Sequence, residues 1–200
     1  MIESAGGDEA SAIEIGKIVA ENHLNVQVDT FCLSACAMYV LAGAHEVRVS
    51  DAGLVGFHTP ALGTAQLMHK ISPGSEIFKK MDKIARDSFS LYSTQRKDPK
   101  ILMSAFYASE VDCIIIQKEQ GAIRNIRIRA LVDVWVPQRE VLEGGGWRIA
   151  GYWPTSKDET IRLSKKYLKD EVVVAFGPEA AKAIKSNILI SDKSCPARKI

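Results

Sequence analysis

The fold is best predicted from the stretch Phe31-Cys32-Leu33-Ser34-Ala35-Cys36-Ala37-Met38-Tyr39-Val40. β-Branched residues predict a strand over residues 25–31. The small residues after Ser34 predict a helix over residues 35–42, which ends at Gly43. Ser34 would therefore lie where a strand turns into a helix, beside backbone N–H groups that have no partner within the helix. A serine at such a turn can act as a nucleophile, because those N–H groups can stabilise the oxyanion that it forms.

Two further motifs flank this serine along the chain. The first is Ser4-Ala5-Gly6-Gly7-Asp8, which predicts a tight glycine turn that enters a helix ending near Asn22. The second is Gly56-Phe57-His58-Thr59-Pro60, which places a histidine at the end of a predicted strand over residues 54–58. Strands that alternate with helices in this way are typical of crossover units, so the sequence predicts a mostly parallel sheet.

These motifs provide most of what acyl transfer by a serine requires, namely a nucleophile, a base and donors for the oxyanion. We predict that Ser34 is the nucleophile and that His58 is the base, since a neutral imidazole titrates near working pH. The backbone N–H groups of Gly7 and Ala35 would form the oxyanion hole, and glycine suits this role because it lets the backbone approach closely. The alternative is structural. Ser34 would then only cap its helix, which stabilises a helix by about 1 kcal/mol, and His58 would be a hydrogen-bonded residue at a strand end.

Taken together, the three motifs resemble the proteolytic subunit of Clp protease and its superfamily, which also includes signal-peptide peptidase A and the crotonases. The resemblance covers about residues 1–110, and the arrangement Cys-x-Ser-Ala-Cys is most similar to a divergent, often exported bacterial branch of Clp-like proteins. It implies an α/β fold of the Clp/crotonase type, with a mostly parallel sheet and crossover helices. It also implies serine-type hydrolysis of a peptide or protein substrate through an acyl-enzyme, in a homo-oligomer and without a cofactor or metal.

The resemblance also implies a third catalytic residue. In Clp proteases an aspartate follows the long helix and precedes an apolar segment that contains Ser-Ala. Asp98 matches this aspartate, with Ser104-Ala105 downstream, and would orient His58. Glu110 and Asp112 are the reserve candidates. The alternative for Asp98 is a turn residue in front of a proline.

The resemblance divides the chain into two parts. Residues 1–113 would form the Clp/crotonase-like catalytic core, and residues 114–200 a small mixed α/β C-terminal extension of unknown role. Ile2-Glu3-Ser4 is typical of the end of a strand, so the core is expected to be N-terminally truncated relative to the family. The elements predicted after the second motif are a loop over residues 59–75, a long helix from Glu76 to about Arg96, a buried strand over 113–116, a β-rich stretch over 123–136, a hairpin around Gly144-Gly145-Gly146, a helix from Ser156 to about 169, a strand over 171–176 and a short helix over 179–185.

Composition narrows the possible partners. The net charge of +2 is close to neutral and argues against a nucleic acid or a membrane surface as the partner. No apolar segment is long enough to predict a transmembrane helix. The location is predicted to be periplasmic or otherwise exported if an upstream signal is missing, and cytoplasmic if it is not.

Two of the four cysteines lie on either side of Ser34. Cys32 and Cys36 could form a disulfide across the turn, which would indicate an oxidising compartment. They could equally be two small buried residues that pack the helix. A zinc site at this pair is not expected, because two further ligands would be needed and His45 and His58 lie on separate elements.

Two other functions are compatible with these motifs. A crotonase-like acyl-CoA enzyme would share the fold and the glycine turn, and bound CoA would identify it. A non-catalytic Clp-like binding module would keep a vestigial site. A well-folded protein that fails to react with an active-serine probe would identify that second alternative.

Overall fold

The structure, a computed structural model, describes residues 1–169, 172–177 and 188–196. The strands are β1 (Ile2–Ser4), β2 (Val26–Leu33), β3 (Val47–Val49), β4 (Leu54–Gly56), β5 (Val111–Glu119), β6 (Ala122–Ala130), β7 (Val134–Pro137), β8 (Ile149–Gly151), β9 (Val174–Gly177) and β10 (Leu189–Ser191). The α-helices are α1 (Glu9–Glu21), α2 (Leu41–Gly43), α3 (Ala61–Ile71), α4 (Glu76–Thr94), α5 (Lys100–Ala108), α6 (Arg139–Gly144) and α7 (Lys157–Tyr167), and a π-helical turn over Cys36–Val40 leads into α2. None of the helices in these ranges is long and apolar enough to cross a membrane. The short helix predicted over residues 179–185 lies outside the described residues.

β2 is the centre of the main sheet. Along one edge it pairs with β1, and along the other it pairs first with β3 and then with β4. β8 pairs with the far edge of β3, and all of these ladders are parallel. The α/β class and the mostly parallel main sheet predicted from the sequence are therefore confirmed.

Two buried polar side chains hold the helical segment that follows β2. Tyr92 of α4 is fully buried, and its hydroxyl donates a hydrogen bond to the Met38 carbonyl at 2.8 Å. Lys97 is also buried, and its ammonium group donates to the Ala42 and Ala44 carbonyls at 2.7 and 2.8 Å. Carbonyl groups at a helix C-terminus have no partner within the helix, so the two contacts of Lys97 satisfy acceptors that would otherwise be buried alone. Burial is the main cause that lowers the pKa of Lys97 to about 8.

α1 packs against α2 at a point where both backbones lack side chains. A β-carbon built on Gly43 would lie 1.9 Å from the Gly16 carbonyl oxygen, and one built on Gly16 would lie 2.3 Å from the Tyr39 carbonyl oxygen. The atoms that block a methyl group are backbone atoms in a close-packed interior, so they cannot move aside cheaply. The two glycines therefore set how closely these helices approach each other.

Gly43→Ala is expected to lower the free energy of unfolding by about 3 kcal/mol, because overpacking at this contact forces the backbone to shift. The matched control is Gly144→Ala, since Gly144 also ends a short helix but has no atom within 4 Å of the position of a β-carbon. Urea denaturation followed by circular dichroism measures both variants. Equal stability of the two variants would contradict the close approach of α1 and α2.

The prediction of a loop over residues 59–75 is wrong for most of this segment. Residues Ala61–Ile71 form α3, which starts directly after Pro60. Gly63 permits close packing of α3 against Phe106 rather than forming a turn, since a β-carbon there would lie 2.0 Å from the Phe106 ring. Proline and glycine favour loops in a sequence, but proline also fits the start of a helix and glycine also permits close packing.

The hairpin predicted around Gly144-Gly145-Gly146 is also wrong. The segment before the glycines is α6, and the segment after them is β8, which pairs in parallel with β3. The glycines end a helix, since Gly146 has φ +86° and the Gly145 N–H donates to the Val141 carbonyl at 3.2 Å. Glycine favours the end of a helix as much as the turn of a hairpin, so the local sequence did not distinguish the two.

The β-rich stretch predicted over residues 123–136 is two separate strands. β6 pairs antiparallel with β5, whereas β7 pairs in parallel with β9. β5 crosses the predicted boundary between residues 113 and 114, and a disulfide joins Cys113 to Cys195. Side chains of β7, β8 and α7 pack in the same hydrophobic cluster as those of β2.

Three other predicted elements are confirmed within a few residues. α4 is the long helix and ends at Thr94. α7 begins after Ser156, whose hydroxyl accepts a hydrogen bond from the Glu159 N–H at 3.2 Å and so caps the helix as predicted. β9 is the last predicted strand, shifted towards the C-terminus, and residue 171 lies outside the described residues.

Candidate active site

Ser34 lies in the turn between β2, which ends at Leu33, and the π-helical turn that begins at Cys36. Its backbone adopts φ +57°, in the left-handed region that few residues other than glycine adopt. Its N–H donates to the Gly56 carbonyl at 2.8 Å, and its carbonyl accepts from the Met38 N–H at 2.9 Å. These two bonds hold a strained residue in place, an arrangement that is frequent at catalytic sites.

A disulfide joins Cys32 and Cys36 across this turn. Both cysteines are buried, and their α-carbons lie 5.4 Å apart. The sequence left open whether Cys32 and Cys36 form a disulfide or are two separate buried residues, and the structure contains the disulfide. It ties the end of β2 to the start of the helical segment and encloses Ser34 in a small covalent ring.

The glycine turn between β1 and α1 lies against Ser34. A β-carbon on Gly6 would lie 2.5 Å from the Ser34 β-carbon and 2.9 Å from its hydroxyl oxygen. Gly6 and Gly7 have φ values of +97° and +142°, which side chains disfavour and glycine adopts readily. Gly7 is exposed, and its N–H has no acceptor among the described residues, so it is available to a ligand. The sequence pointed to Gly7 as a donor and did not identify Gly6 as the residue in close contact.

β4 brings His58 to the same end of the sheet. Leu33 pairs with Gly56 in the parallel ladder, so the residues that follow the two strands lie side by side. His58 is half-buried, and burial lowers its pKa, while a backbone hydrogen bond and the charge of Asp133 act in the opposite direction. Among the described residues no hydrogen bond joins the Ser34 hydroxyl to His58. Catalytic hydrogen bonds of unliganded sites are often long and tighten only when substrate is bound.

Gly6, Ser34 and His58 thus follow the ends of three parallel strands of one sheet, β1, β2 and β4. No family model, curated protein or solved structure matches this chain. The chemistry of the site therefore has to follow from its own geometry. That geometry offers a serine in a strained turn, a glycine turn in contact with it and a half-buried imidazole that follows the neighbouring strand.

The structure places Asp98 at the start of α5, where its carboxylate accepts a hydrogen bond from the Lys100 N–H at 2.9 Å. The preceding residue, Lys97, reaches the carbonyls at the C-terminal end of α2. Ser34 precedes the opposite end of that helical segment. Asp98 therefore follows a residue that binds the end of the helical segment away from Ser34, and its role as the third catalytic residue stays a prediction.

The two reserve acids lie at the start of β5. Glu110 occupies the turn before the strand with φ +48°. Asp112 forms a salt bridge with Arg129 at 2.6 Å, and both side chains are mostly buried. A carboxylate held by a guanidinium group has a partner that competes with an imidazole for the same oxygens.

A different acid, Asp133, lies next to His58. Phe57 and Trp135 form an antiparallel bridge with reciprocal hydrogen bonds of 2.8 and 2.7 Å. In such a pair the residues after one partner face the residues before the other, so Asp133 lies across from the segment that starts at His58. Its charge favours the protonated imidazole of His58. One carboxylate oxygen also accepts from the Val173 N–H at 2.9 Å, which helps to fix its orientation.

Sequence reasoning missed Asp133 because residues 123–136 were interpreted as one β-rich stretch. One local signal was available, since Asp133 is a charged residue directly before the buried strand β7. The pairing of Phe57 with Trp135, which gives Asp133 its significance, joins residues far apart in the chain and has no local signal.

Glu9, at the start of α1, is a further acid near the glycine turn. The Tyr39 hydroxyl donates to its Oε2 atom at 2.7 Å, and the Ala61 N–H donates to the same oxygen at 3.0 Å. Burial raises the pKa of Glu9, and the two hydrogen bonds favour its ionised form. Because both contacts are internal and one of them caps α3, we interpret Glu9 as a structural residue rather than as a base.

A groove of about 850 Å³ opens beside His58. It runs between Ile77, Lys80 and Met81 of α4 and residues 124–130 of β6, and Asp133 also lines it. We call this space the β6 groove. In the described ranges, no group of three or more His, Cys, Asp or Glu side chains could hold a metal ion there or elsewhere.

Proposed function

We propose that this chain is a serine-type peptidase in which Ser34 and His58 carry out acyl transfer. The observation that carries the proposal is the backbone of Ser34, which has φ +57° in a turn that Gly6 approaches too closely for any side chain. A serine that only caps a helix has no need of this conformation, because the usual N-cap backbone is extended. A sharp strand-to-helix turn with a strained serine is instead the geometry that presents a nucleophile to a substrate.

In the proposed reaction, His58 takes the proton of the Ser34 hydroxyl while the oxygen attacks the carbonyl carbon of a peptide bond. The N–H groups of Ala35 and Gly7 donate to the oxyanion that forms. His58 then gives the proton to the leaving amine, which leaves an acyl-enzyme. Water activated by His58 hydrolyses this ester, and the charge of Asp133 stabilises the imidazolium that forms in each step. The reaction requires no cofactor.

We also propose a fold of the Clp/crotonase type, with its core over residues 1–113, and a homo-oligomeric assembly. These three proposals rest on the sequence motifs. The parallel strands β1, β2 and β4, followed in turn by the glycine turn, the serine and the histidine, support the proposed fold. The buried disulfide between Cys32 and Cys36 supports an exported location, since disulfides persist in oxidising compartments.

A fluorophosphonate probe tests the proposal, because it reacts with an activated serine. We expect the probe to label the folded chain at Ser34, and mass spectrometry of the labelled peptide locates the modified residue. Heat-denatured protein is the control for non-specific reaction. Labelling at another residue, or none on protein whose fold is verified by circular dichroism, would overturn the assignment.

One observation favours a non-catalytic binding module, namely that no hydrogen bond joins Ser34 to His58 among the described residues. Such a module would bind peptides and stay unlabelled by the probe. A crotonase-like acyl-CoA enzyme would instead bind CoA, which calorimetric titration detects. The two alternatives therefore give different results in the same set of measurements.

The pH dependence of labelling reports on His58. Burial lowers the pKa of His58 from its usual value of 6.5, so the neutral form that acts as base persists to lower pH than in a free imidazole. We expect the labelling rate to fall at low pH as His58 becomes protonated, with the midpoint of the fall below pH 6.5. Asp133→Asn removes a charge that favours the protonated form, so the fall should move to still lower pH.

Labelling rates measured from about pH 4 to about pH 8 check this dependence. Asp87→Asn is the control, because Asp87 pairs with Lys83 on the surface of α4. A fall whose midpoint lies above pH 6.5, or an Asp133→Asn profile that coincides with the wild-type profile, would contradict the assignment of base and partner.

A further inference from the structure

The β6 groove follows one edge of a strand. Every residue from 124 to 130 lines it, although successive side chains of a strand point to opposite faces of the sheet. Residues of both faces of β6 contact the groove, as they do where a groove runs along the edge of a strand, and Ile115 of β5 lines it beside Arg127. β6 pairs with β5 along its other edge, and no strand in the described ranges pairs with the edge that faces the groove.

An open strand edge carries a row of unpaired N–H and C=O groups. An extended peptide can pair with such an edge and add a strand to the sheet, while side-chain pockets along it select alternate residues. The β6 groove also contains His58, so a peptide bound along β6 passes the candidate base.

The charges in the groove select among such peptides. Arg129 is occupied by Asp112 at 2.6 Å, and Arg124 pairs with Glu119 at 3.1 Å. Lys80 and Arg127 line the groove from opposite sides, on α4 and β6, and neither has an ion pair with a described residue.

Two cations without an ion pair among the described residues thus line the groove, although the charge of Lys80 also lowers the pKa of Asp8. Asp133 is the acidic residue among the groove-lining side chains of the described ranges, and it lies at the end near His58. The rest of the lining includes the aliphatic side chains of Ile77, Ile115 and Val132.

This lining fits a peptide better than a single-stranded nucleic acid. Proteins that bind single strands without sequence preference stack the bases on aromatic side chains. In the described ranges no phenylalanine, tyrosine or tryptophan lines the β6 groove. Aliphatic side chains of a peptide instead find apolar neighbours such as Met81 and Ile128.

We propose that the substrates are extended peptides that pair with the outer edge of β6 over residues 124–129 and place an acidic side chain between Lys80 and Arg127. This inference rests on the proposed function, because it names the substrate class of that site. It assigns to β6 a direct contact with the substrate backbone, and to Lys80 and Arg127 the selection of glutamate or aspartate.

Binding to the Ser34→Ala variant tests the inference without hydrolysis. The probes are a short fluorescein-labelled peptide that alternates valine with glutamate, the same peptide with glutamine for glutamate, and the glutamate peptide N-methylated at alternate residues. Fluorescence anisotropy should show that the glutamate peptide binds about tenfold more tightly than the glutamine peptide, and that added salt narrows this difference. The N-methylated peptide should not bind, since it cannot pair with β6.

Lys80→Gln and Arg127→Gln should each weaken binding of the glutamate peptide about fivefold, the upper range for a single exposed ion pair. Lys83→Gln and Arg48→Gln are the matched controls, because they are exposed cations on α4 and β3 that do not line the groove. These two control variants should bind the glutamate peptide as tightly as the protein without the substitution. Equal binding of the glutamate and glutamine peptides, tight binding of the N-methylated peptide, or tighter binding of a labelled single-stranded oligonucleotide would overturn the inference.

Labelling of wild-type protein by the fluorophosphonate probe separates this inference from the proposed function. Labelling at Ser34 without a preference for glutamate would overturn the inference and keep the peptidase. A preference for glutamate without labelling would support the groove as an acidic-peptide site and overturn the peptidase.

Discussion

Replacing Ser34 or His58 with alanine is expected to abolish labelling by the fluorophosphonate probe. The first change removes the attacking oxygen, and the second removes the base that takes its proton. Each change alone should slow acylation about 10⁴-fold or more, as in other sites where a serine and a histidine act together. Because the two side chains act as a unit, the double variant should react no more slowly than the slower single variant.

His45→Ala is the control for the histidine change. His45 is exposed and contacts Arg148 at 3.0 Å near the start of β3, at the opposite end of the sheet from Ser34. It should react like the wild-type protein. Labelling that persists in Ser34→Ala would show that another residue reacts, and additive losses in the double variant would show that Ser34 and His58 do not cooperate.

The second large effect is expected at Gly6. An alanine β-carbon there would lie 2.5 Å from the Ser34 β-carbon and 2.8 Å from the Leu33 carbonyl oxygen, so the glycine turn and the serine have to separate. The N–H of Gly7 then moves from the place where an oxyanion forms, and loss of one such donor slows acylation about 10²- to 10³-fold. The clash should also lower the free energy of unfolding by about 1–3 kcal/mol.

Gly121→Ala is the matched control for this change. Gly121 has φ +81°, similar to the +97° of Gly6, but no atom lies within 4 Å of its β-carbon position. It therefore carries the same unfavourable backbone conformation without the contact to Ser34, and its stability should fall while its labelling rate stays at the wild-type value. Stopped labelling reactions and urea denaturation measure the two effects separately. An unchanged labelling rate in Gly6→Ala would remove the glycine turn from the site.

The features of the candidate site that the sequence predicts are those that depend only on neighbouring residues in the chain. The β-branched run before Ser34 and the small residues after it specify a strand that leads into a helix, wherever the rest of the chain lies. The same holds for the glycine turn at Gly6 and for the strand that ends at His58. The α/β class follows from this alternation of strands and helices, and the structure agrees with it.

The parts that were missed depend on contacts between distant residues. Gly63 is typical of a loop when it is considered alone, and only the Phe106 ring packed against it explains its place in α3. The glycines at residues 144–146 end a helix because the chain beyond them pairs with β3 rather than folding back. Asp133 gains its position beside His58 from a bridge between β7 and the segment after β4. No periodicity in the sequence encodes which of these distant segments meet.

Glu9 links the pieces of the candidate site to one another. Its Oε2 atom receives hydrogen bonds from Tyr39, in the helical segment after Ser34, and from Ala61, in the helix after His58. Its own backbone begins the helix that follows the glycine turn. The three segments that contain Gly7, Ser34 and His58 are therefore linked through one carboxylate oxygen, although they are far apart in sequence. Displacing the segment of Tyr39 or that of Ala61 relative to α1 therefore stretches a hydrogen bond to the same carboxylate.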